Sequence, residues 1–148
     1  MQRLTLLYQP EDERHGEVTA HVESGAFAGR SSAWFSMEQL RAFGETLDTF
    51  PIVPGQEPIL AGGFWNDDDK LDQTHVSIRI EPAGPRGELR LRVALATPEW
   101  PHGKSNQHGV QMGIILNYSD LGAFRRDFAA AQREAARGVL RSCAKLVR

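Results

Sequence analysis

Cysteine is almost absent from this sequence: among 148 residues there is only Cys143. An internal disulfide is therefore impossible, and a reducing compartment suits the chain. A single cysteine also rules out a Cys-x-x-Cys redox motif and a zinc site built from cysteine pairs. We therefore expect a cytoplasmic protein whose fold depends on its apolar core rather than on covalent cross-links.

A charge imbalance and long apolar runs are missing as well. The formal net charge of −2 gives no reason to expect a nucleic acid or an anionic membrane as a partner. No stretch approaches the roughly 20 apolar residues that a membrane-spanning helix needs. The alternating residues 3–9 indicate a strand rather than a signal peptide. With 41% hydrophobic and 24% charged residues, the composition is that of one globular domain covering residues 1–148.

The motifs of the common catalytic sites are also missing. There is no Gly-x-Ser-x-Gly elbow, no phosphate-binding loop and no His-Glu-x-x-His helix. His75, His102 and His108 have no metal-ligand spacing, and the run Asp67–Asp69 lacks the alternating ligands of a calcium loop. The sequence therefore favours a binding protein over an enzyme, and we assign it no catalytic residue, no metal and no cofactor.

The clearest signal that is present lies between Val110 and Leu140. Every second residue from Val110 to Tyr118 is large and apolar, which predicts a strand. Ser119 and Asp120 then indicate the start of a helix, and apolar residues follow at helical spacing. The residues that this helix is expected to bury are Leu121, Phe124, Phe128, Ala131, Ala135 and Val139. These patterns predict a sheet with a packed helix, and they do not indicate a reaction.

Shorter patterns place further elements before this one. Alternation predicts strands at 3–9, 17–23, 27–35, 75–81 and 88–97. A capping box at Ser36-Met-Glu-Gln39 predicts a helix with Leu40, Phe43 and Leu47 on one face. Residues 51–73 form a long irregular connection with room for one short strand at 59–64.

The two predicted helices share a short motif, Leu-x-Ala-Phe-x-x-x-(Leu/Phe), at Leu40–Leu47 and Leu121–Phe128. Each helix follows three predicted strands, which gives pseudo-repeats at about 2–50 and 74–141, joined by 51–73. Duplication and coincidence both account for so short a motif. The sequence predicts an α+β fold, pseudo-duplicated βββα-βββα, with two helices packed on one face of a curved antiparallel sheet of about six strands.

The opposite face of that sheet is expected to be wet and to carry mixed charges, with His75 and Arg79 among them. Trp34 and Ile115 are the apolar exceptions, and exposed apolar side chains can mark contact surfaces. The connections 51–73 and 98–108 are the other candidate surfaces. The candidate binding residues are therefore Trp34, Trp65, Asp67, Asp68, Trp100, His102 and His108.

Several segments of residues 74–128 resemble segments of a known group of proteins. They are His75-Val-Ser-Ile-Arg-Ile80, Gly87-Glu-Leu-Arg-Leu-Arg-Val93 and Asn117-Tyr-Ser-Asp-Leu121, followed by Phe124 and Phe128. With Trp34-Phe35 and the first helix, they resemble a group of small bacterial proteins that includes the WapI-type immunity proteins. The resemblance implies a cytosolic protein that binds and neutralises a toxin domain, and it brings no catalytic residues.

The sequence leaves two classes of function open. The first is a non-enzymatic bacterial binding protein, with a toxin domain or another protein as its partner. The alternative is a small-molecule-binding or hydrolytic domain that uses the 51–73 and 98–108 connections. That alternative needs a polar pocket that joins Trp65, Asp67, Trp100, His102 and His108. The chain is expected as a monomer, or as a homodimer that covers the wet face or an edge strand.

Overall fold

A computed structural model describes all 148 residues, which form eight strands and two helices. In chain order these are β1 (Gln2–Pro10), β2 (His15–Ser24), β3 (Phe27–Ser36), α1 (Met37–Thr46), β4 (Ile59–Trp65), β5 (Leu71–Pro82), β6 (Leu89–Ala96), β7 (Gly109–Leu116), α2 (Tyr118–Ala136) and β8 (Ser142–Val147). Neither helix is long and apolar enough to cross a membrane.

The strands form two antiparallel sheets of four strands each. Sheet A has the order β3-β2-β1-β8, and sheet B has the order β4-β5-β6-β7. The predicted α+β class is confirmed. The eight strands are divided between two sheets, however, where the sequence suggested one sheet of about six strands. Alternation shows that a strand buries one face, but it does not show which element covers that face.

The two sheets meet where β3 crosses the inner face of sheet B. Gly62 in β4 leaves room for the Phe35 ring, since a Cβ on Gly62 would lie 2.6 Å from Phe35 Cζ. Ser31 Oγ donates a hydrogen bond of 2.7 Å to the carbonyl oxygen of Ala96 in β6. The inner faces of the two sheets therefore share one core, in which Phe35 is buried.

Both helices bury one side in this core. The 28 buried apolar residues form a single cluster that draws on both sheets and both helices. Phe43 of α1 meets Phe128 of α2 edge to face, with ring centroids 5.4 Å apart. Leu40, Leu121 and Phe124 are buried beside them, which confirms the helix faces that the spacing predicts.

Capping boxes start both helices. Ser36 Oγ accepts a hydrogen bond from the Gln39 N–H, as the sequence predicts for α1. The cap of α2 is Asn117 rather than Ser119. Asn117 Oδ1 accepts from the Asp120 N–H at 2.8 Å, and Asp120 Oδ2 accepts from the Asn117 N–H at 3.1 Å. Two backbone donors that the helix leaves free are satisfied in this way.

The C-terminal segment differs from the prediction. Helix α2 ends at Ala136, and Gly138 follows with a φ of 81°, a conformation in which glycine readily ends a helix. Val139 is consequently 40% exposed and not buried by the helix. The chain then returns as β8 and buries Ser142, Ala144 and Leu146. Ser142 and Ala144 have small side chains, so the sequence of β8 does not show the alternation of large apolar residues that predicts a strand.

The fourth strand of each sheet comes from the other half of the chain. Three strands, one helix and one further strand follow each other twice along the sequence. β4 leaves the first three strands and pairs with β5, whereas β8 returns to pair with β1. The predicted boundary of the second pseudo-repeat, at residue 141, stops just before β8.

Candidate binding surface

Two connections lie side by side at one end of sheet B. The β4–β5 turn (66–70) and the β6–β7 connection (97–108) leave the sheet at the same end because successive strands are antiparallel. Phe64 in β4 packs against Trp100 in the second connection, with ring centroids 5.2 Å apart. We call residues 64–74 and 98–105 the tip.

A pair of hydrogen bonds holds the longer connection to β5. Gln73 Nε2 donates to the carbonyl oxygen of Glu99 at 2.8 Å, and the Glu99 N–H donates to Gln73 Oε1 at 2.9 Å. His75 Nε2 lies 3.0 Å from the same Gln73 Oε1. The backbone beside Trp100 is thereby held against the sheet.

His75 is an exception to the predicted wet face, because it is only 3% exposed. The pairing of β4 with β5 shifts register between Gly62 and Gly63, and the ring of Phe64 covers His75 at a centroid distance of 4.5 Å. This burial lowers the pKa of His75 below its ordinary value of 6.5. The imidazole is therefore neutral at neutral pH.

Asn66 organises the β4–β5 turn. Its Oδ1 accepts hydrogen bonds from the N–H groups of Asp68 at 2.9 Å and Lys70 at 3.1 Å. Its Nδ2 donates to Asp72 Oδ1 at 3.0 Å. Asp69 has a φ of 57°, a left-handed conformation that aspartate tolerates better than most residues. The turn therefore has a defined shape.

The surface of the tip combines aromatic side chains with negative charge. Trp65 is 47% exposed and Trp100 is 50% exposed. The carboxylates of the tip are Asp67, Asp68, Asp69, Asp72 and Glu99, all of them exposed residues. Its lysines are Lys70 and Lys104, and its one histidine is His102. The Lys104 N–H donates a hydrogen bond of 3.2 Å to His102 Nδ1. This end of the molecule is acidic although the whole chain is nearly neutral.

The structure brings together some of the predicted binding residues and separates others. The tip contains Trp65, Asp67, Asp68, Trp100 and His102. Trp34 lies on the outer face of sheet A, where it pairs with Glu17 in the strand register. His108 is the last residue of the β6–β7 connection and lies outside the tip, and its N–H donates to Thr97 Oγ1 at 2.9 Å.

A network of arginines and glutamates covers the outer face of sheet B. Arg79 Nη2 lies 3.0 Å from Glu57 Oε1, and its Nε lies 3.6 Å from Glu81 Oε2. Arg90 and Arg92 also pair with Glu81. A hydrogen bond from its own N–H and one from Arg79 lower the pKa of Glu57. Glu57 lies before β4, so strand alternation gives no signal that it joins this face.

Cavities lie away from the tip, among them one on the outer face of sheet B and one in the core. An open concavity of about 400 Å³ on the outer face of sheet B is lined by Ser77, Arg79, Arg92, Val93, Ala94, Gln111, Met112 and Gly113. An apolar cavity of about 30 Å³ in the core has Leu6, Tyr8 and Phe128 in its wall. The second cavity is large enough only for a molecule of about the size of water.

Side chains that could hold a metal are dispersed, and no group of three or more His, Cys, Asp or Glu residues is arranged around a common point. Comparisons with protein-family models, with curated proteins and with solved structures find no significant match to this chain.

Proposed function

We propose that this chain is a non-enzymatic protein-binding module that contacts its partner through the tip. The observation that carries the proposal is the pair of half-exposed tryptophans, Trp65 and Trp100, in an acidic setting at one end of sheet B. Tryptophan is among the residues that most often dominate the free energy of protein binding.

The backbone around these side chains supports the proposal. The hydrogen bonds of the Asn66 turn and of the Gln73–Glu99 pair anchor the backbone beside Trp65 and Trp100. A rigid loop loses less conformational entropy on binding than a flexible one, so more of the contact free energy remains as affinity. Phe64 supports Trp100 from below and fixes one of the two exposed rings.

The charge of the tip indicates the chemistry of the partner. Residues 64–74 and 98–105 contain five carboxylates and two lysines. An acidic rim attracts a basic protein surface, speeds the encounter and disfavours acidic competitors. A basic toxin domain, such as one that acts on nucleic acid, has this chemistry. The proposed role is therefore that of a cytoplasmic bacterial immunity protein, in line with the resemblance to the WapI-type group.

The internal repeat belongs to this proposal as well. The shared Leu-x-Ala-Phe motif and the repeated order of elements support an origin of the two halves by duplication. The tip combines the β4–β5 turn, where the two halves of the chain join, with the β6–β7 connection of the second half. Divergence of the β6–β7 connection from its counterpart after β3 would then have given the second half its share of the partner surface.

Co-expression with the toxin domains encoded beside its gene tests the proposal. The chain should restore growth, and the purified pair should form a complex whose affinity calorimetry can measure. Trp65→Ala and Trp100→Ala should each weaken binding by roughly 30-fold, the cost of truncating a binding hot spot. Replacing Asp67 and Asp68 by lysine should slow association most at low salt.

Trp34→Ala is the matched control, because Trp34 is 51% exposed but lies on the outer face of sheet A. It should bind as the unchanged protein does. Circular dichroism of each variant separates a folding defect from a binding defect. A larger loss for Trp34→Ala than for both tip variants would contradict the tip as the partner surface. Failure of every neighbouring toxin domain to bind would contradict the immunity role.

A further inference from the structure

Three of the four sheet edges carry features that discourage pairing with another strand. The edge of β8 is covered by α2, and the Asp127 carboxylate accepts the Lys145 N–H at 2.5 Å. β4 is interrupted by two register shifts. β3 carries the exposed Arg30 near its middle. Side-chain caps, bulges and charges are the usual ways in which a protein protects an exposed edge.

The fourth edge, β7, has none of these features. Its eight residues, Gly109 to Leu116, contain no charged residue and no proline. They pair with β6 in unbroken register from Ala96–Gly109 to Leu89–Leu116. A regular, uncharged edge strand of this length is a template for a further strand.

The backbone groups of β7 that face away from sheet B can be assigned. The Thr97 N–H donates to the His108 carbonyl oxygen, so His108 and the even-numbered residues after it face β6. The N–H and C=O groups of Gly109, Gln111, Gly113 and Ile115 therefore point to the open edge. All four residues are exposed.

We propose that β7 pairs antiparallel with β7 of a second copy of this chain. Two sheets B would then form one continuous sheet of eight strands across a twofold axis. Because β7 is uncharged, every antiparallel register of β7 with itself places neutral residues opposite neutral residues. Ile115, which is 42% exposed in the single chain, gains a cross-strand neighbour.

The neighbouring charges and edges are compatible with a closed dimer. Arg90 and Arg92 lie one strand inward, and both pair with Glu81 of the same chain. The far edge of the joined sheet is β4 in both copies, and its register shifts discourage further addition. A symmetric pairing of this kind closes at two copies and does not continue into a fibre.

Light scattering after size exclusion, over a wide range of protein concentration, measures the mass of the assembly. The unchanged chain should have the mass of two copies at high concentration. Pairing of one edge buries less than the roughly 1,600 Å² of a standard interface, so the mass should fall towards one copy on dilution. A single-copy mass at every concentration, or a mass above two copies, would overturn the proposal.

Two variants test whether β7 forms the contact. Gln111→Pro removes an N–H that faces the open edge, a position where a strand tolerates proline, and it blocks the approach of a second strand. Ile115→Lys places a charge on the same edge. Both variants should have the mass of one copy, with an unchanged circular dichroism spectrum.

Ile59→Lys is the matched control, since Ile59 is 50% exposed on the opposite edge strand of the same sheet. It should remain dimeric. A dimer that persists in Ile115→Lys and dissociates in Ile59→Lys would place the interface on β4 and overturn the assignment. Amide hydrogen exchange at Gln111 and Gly113 gives a second readout, because pairing protects these N–H groups only in the dimer. The outcome is independent of the proposed partner surface, which lies at the tip.

Discussion

His75 links three segments of the tip. Its ring touches Phe64 of β4, and its Nε2 contacts Gln73, which in turn holds Glu99. A neutral imidazole can occupy this buried position, whereas an imidazolium would have to lose much of its hydration there. The protonation state of one residue is thereby linked to the anchoring of the connection that carries Trp100.

The lowered pKa of His75 makes stability depend on pH. Because the folded-state pKa lies below the unfolded value of about 6.5, the unfolded chain binds a proton more readily than the folded chain. The contribution of neutral His75 to the free energy of unfolding is complete above pH 6.5 and is lost as the pH falls towards the folded-state pKa. We therefore compare pH 7.5 with pH 5.5, which lie about one unit on either side of the ordinary pKa of histidine. Between these two pH values, the Tm of the unchanged protein should fall more than the Tm of His75→Gln.

His21→Gln is the control for this experiment, because His21 is an exposed residue on the outer face of sheet A. Its Tm should follow the pH profile of the unchanged protein. If His75→Gln keeps the full pH dependence, the buried imidazole is not its source, and the link between this residue and the tip is refuted.

At the scale of the elements, the crossing of β3 over sheet B depends on the absence of a side chain at Gly62. A Cβ there would lie 2.6 Å from Phe35 Cζ and 3.2 Å from Ala33 Cβ, and both neighbours are buried. Gly62→Ala should therefore destabilise the protein by about 1–3 kcal/mol, the usual cost of overpacking a core. Thermal unfolding should show a lower Tm, by about 2–4 °C per kcal/mol.

Gly122→Ala provides a comparison of opposite sign. Gly122 lies within α2, and the nearest neighbour of an added Cβ is Arg126 Nη1 at 3.6 Å. Alanine is favoured over glycine inside a helix by about 1 kcal/mol, so the Tm should rise. A rise for Gly62→Ala as well would show that β3 and β4 separate without cost and that the crossing is not tightly packed.

Most elements could be predicted from the sequence because their apolar periodicity is strong. The strands and the faces of both helices follow from Leu, Ile, Val and Phe at regular spacing. β8 could not be predicted in this way, because Ser142 and Ala144 are small and follow a helix rich in alanine and arginine. The division into two sheets could not be predicted from apolar periodicity either. It involves the contact between Phe35 and Gly62, which are distant from each other in the sequence.

Only part of the candidate binding surface could be predicted from the sequence. The sequence indicates Asp67, Asp68 and Trp100 as candidates because they lie in long connections rich in polar residues. The sequence does not indicate the Gln73–Glu99 pair, because nothing in it shows that two polar residues 26 positions apart are in contact. Residues at strand ends and in loops become neighbours only through the pairing of the strands.

At the scale of the whole molecule, neither half of the chain contains a complete sheet. Residues 1–68 hold β1–β4, and residues 69–148 hold β5–β8, so each half supplies the last strand of the other half's sheet. We expect the two fragments, separated in the exposed turn between Asp68 and Asp69, to be unfolded alone. Mixed or co-expressed, they should form a 1:1 complex that unfolds cooperatively.

Circular dichroism and light scattering of the separate and mixed fragments check this expectation. The intact chain provides the reference spectrum and mass. A cooperative thermal transition in either fragment alone, at a mass of one fragment, would show that a half folds without the exchanged strand. The two halves would then be independent units, contrary to the shared core.

The pairing of β1 with β8 also sets the order in which the molecule can be completed during synthesis. β1 leaves the ribosome early, but its partner is absent until residues 142–147 have been added. All four strands of sheet B are available before that point, because β7 ends at Leu116. Sheet A therefore receives its last strand after sheet B is complete. Until then the nascent chain has an unpaired β1 edge, which a chaperone can cover.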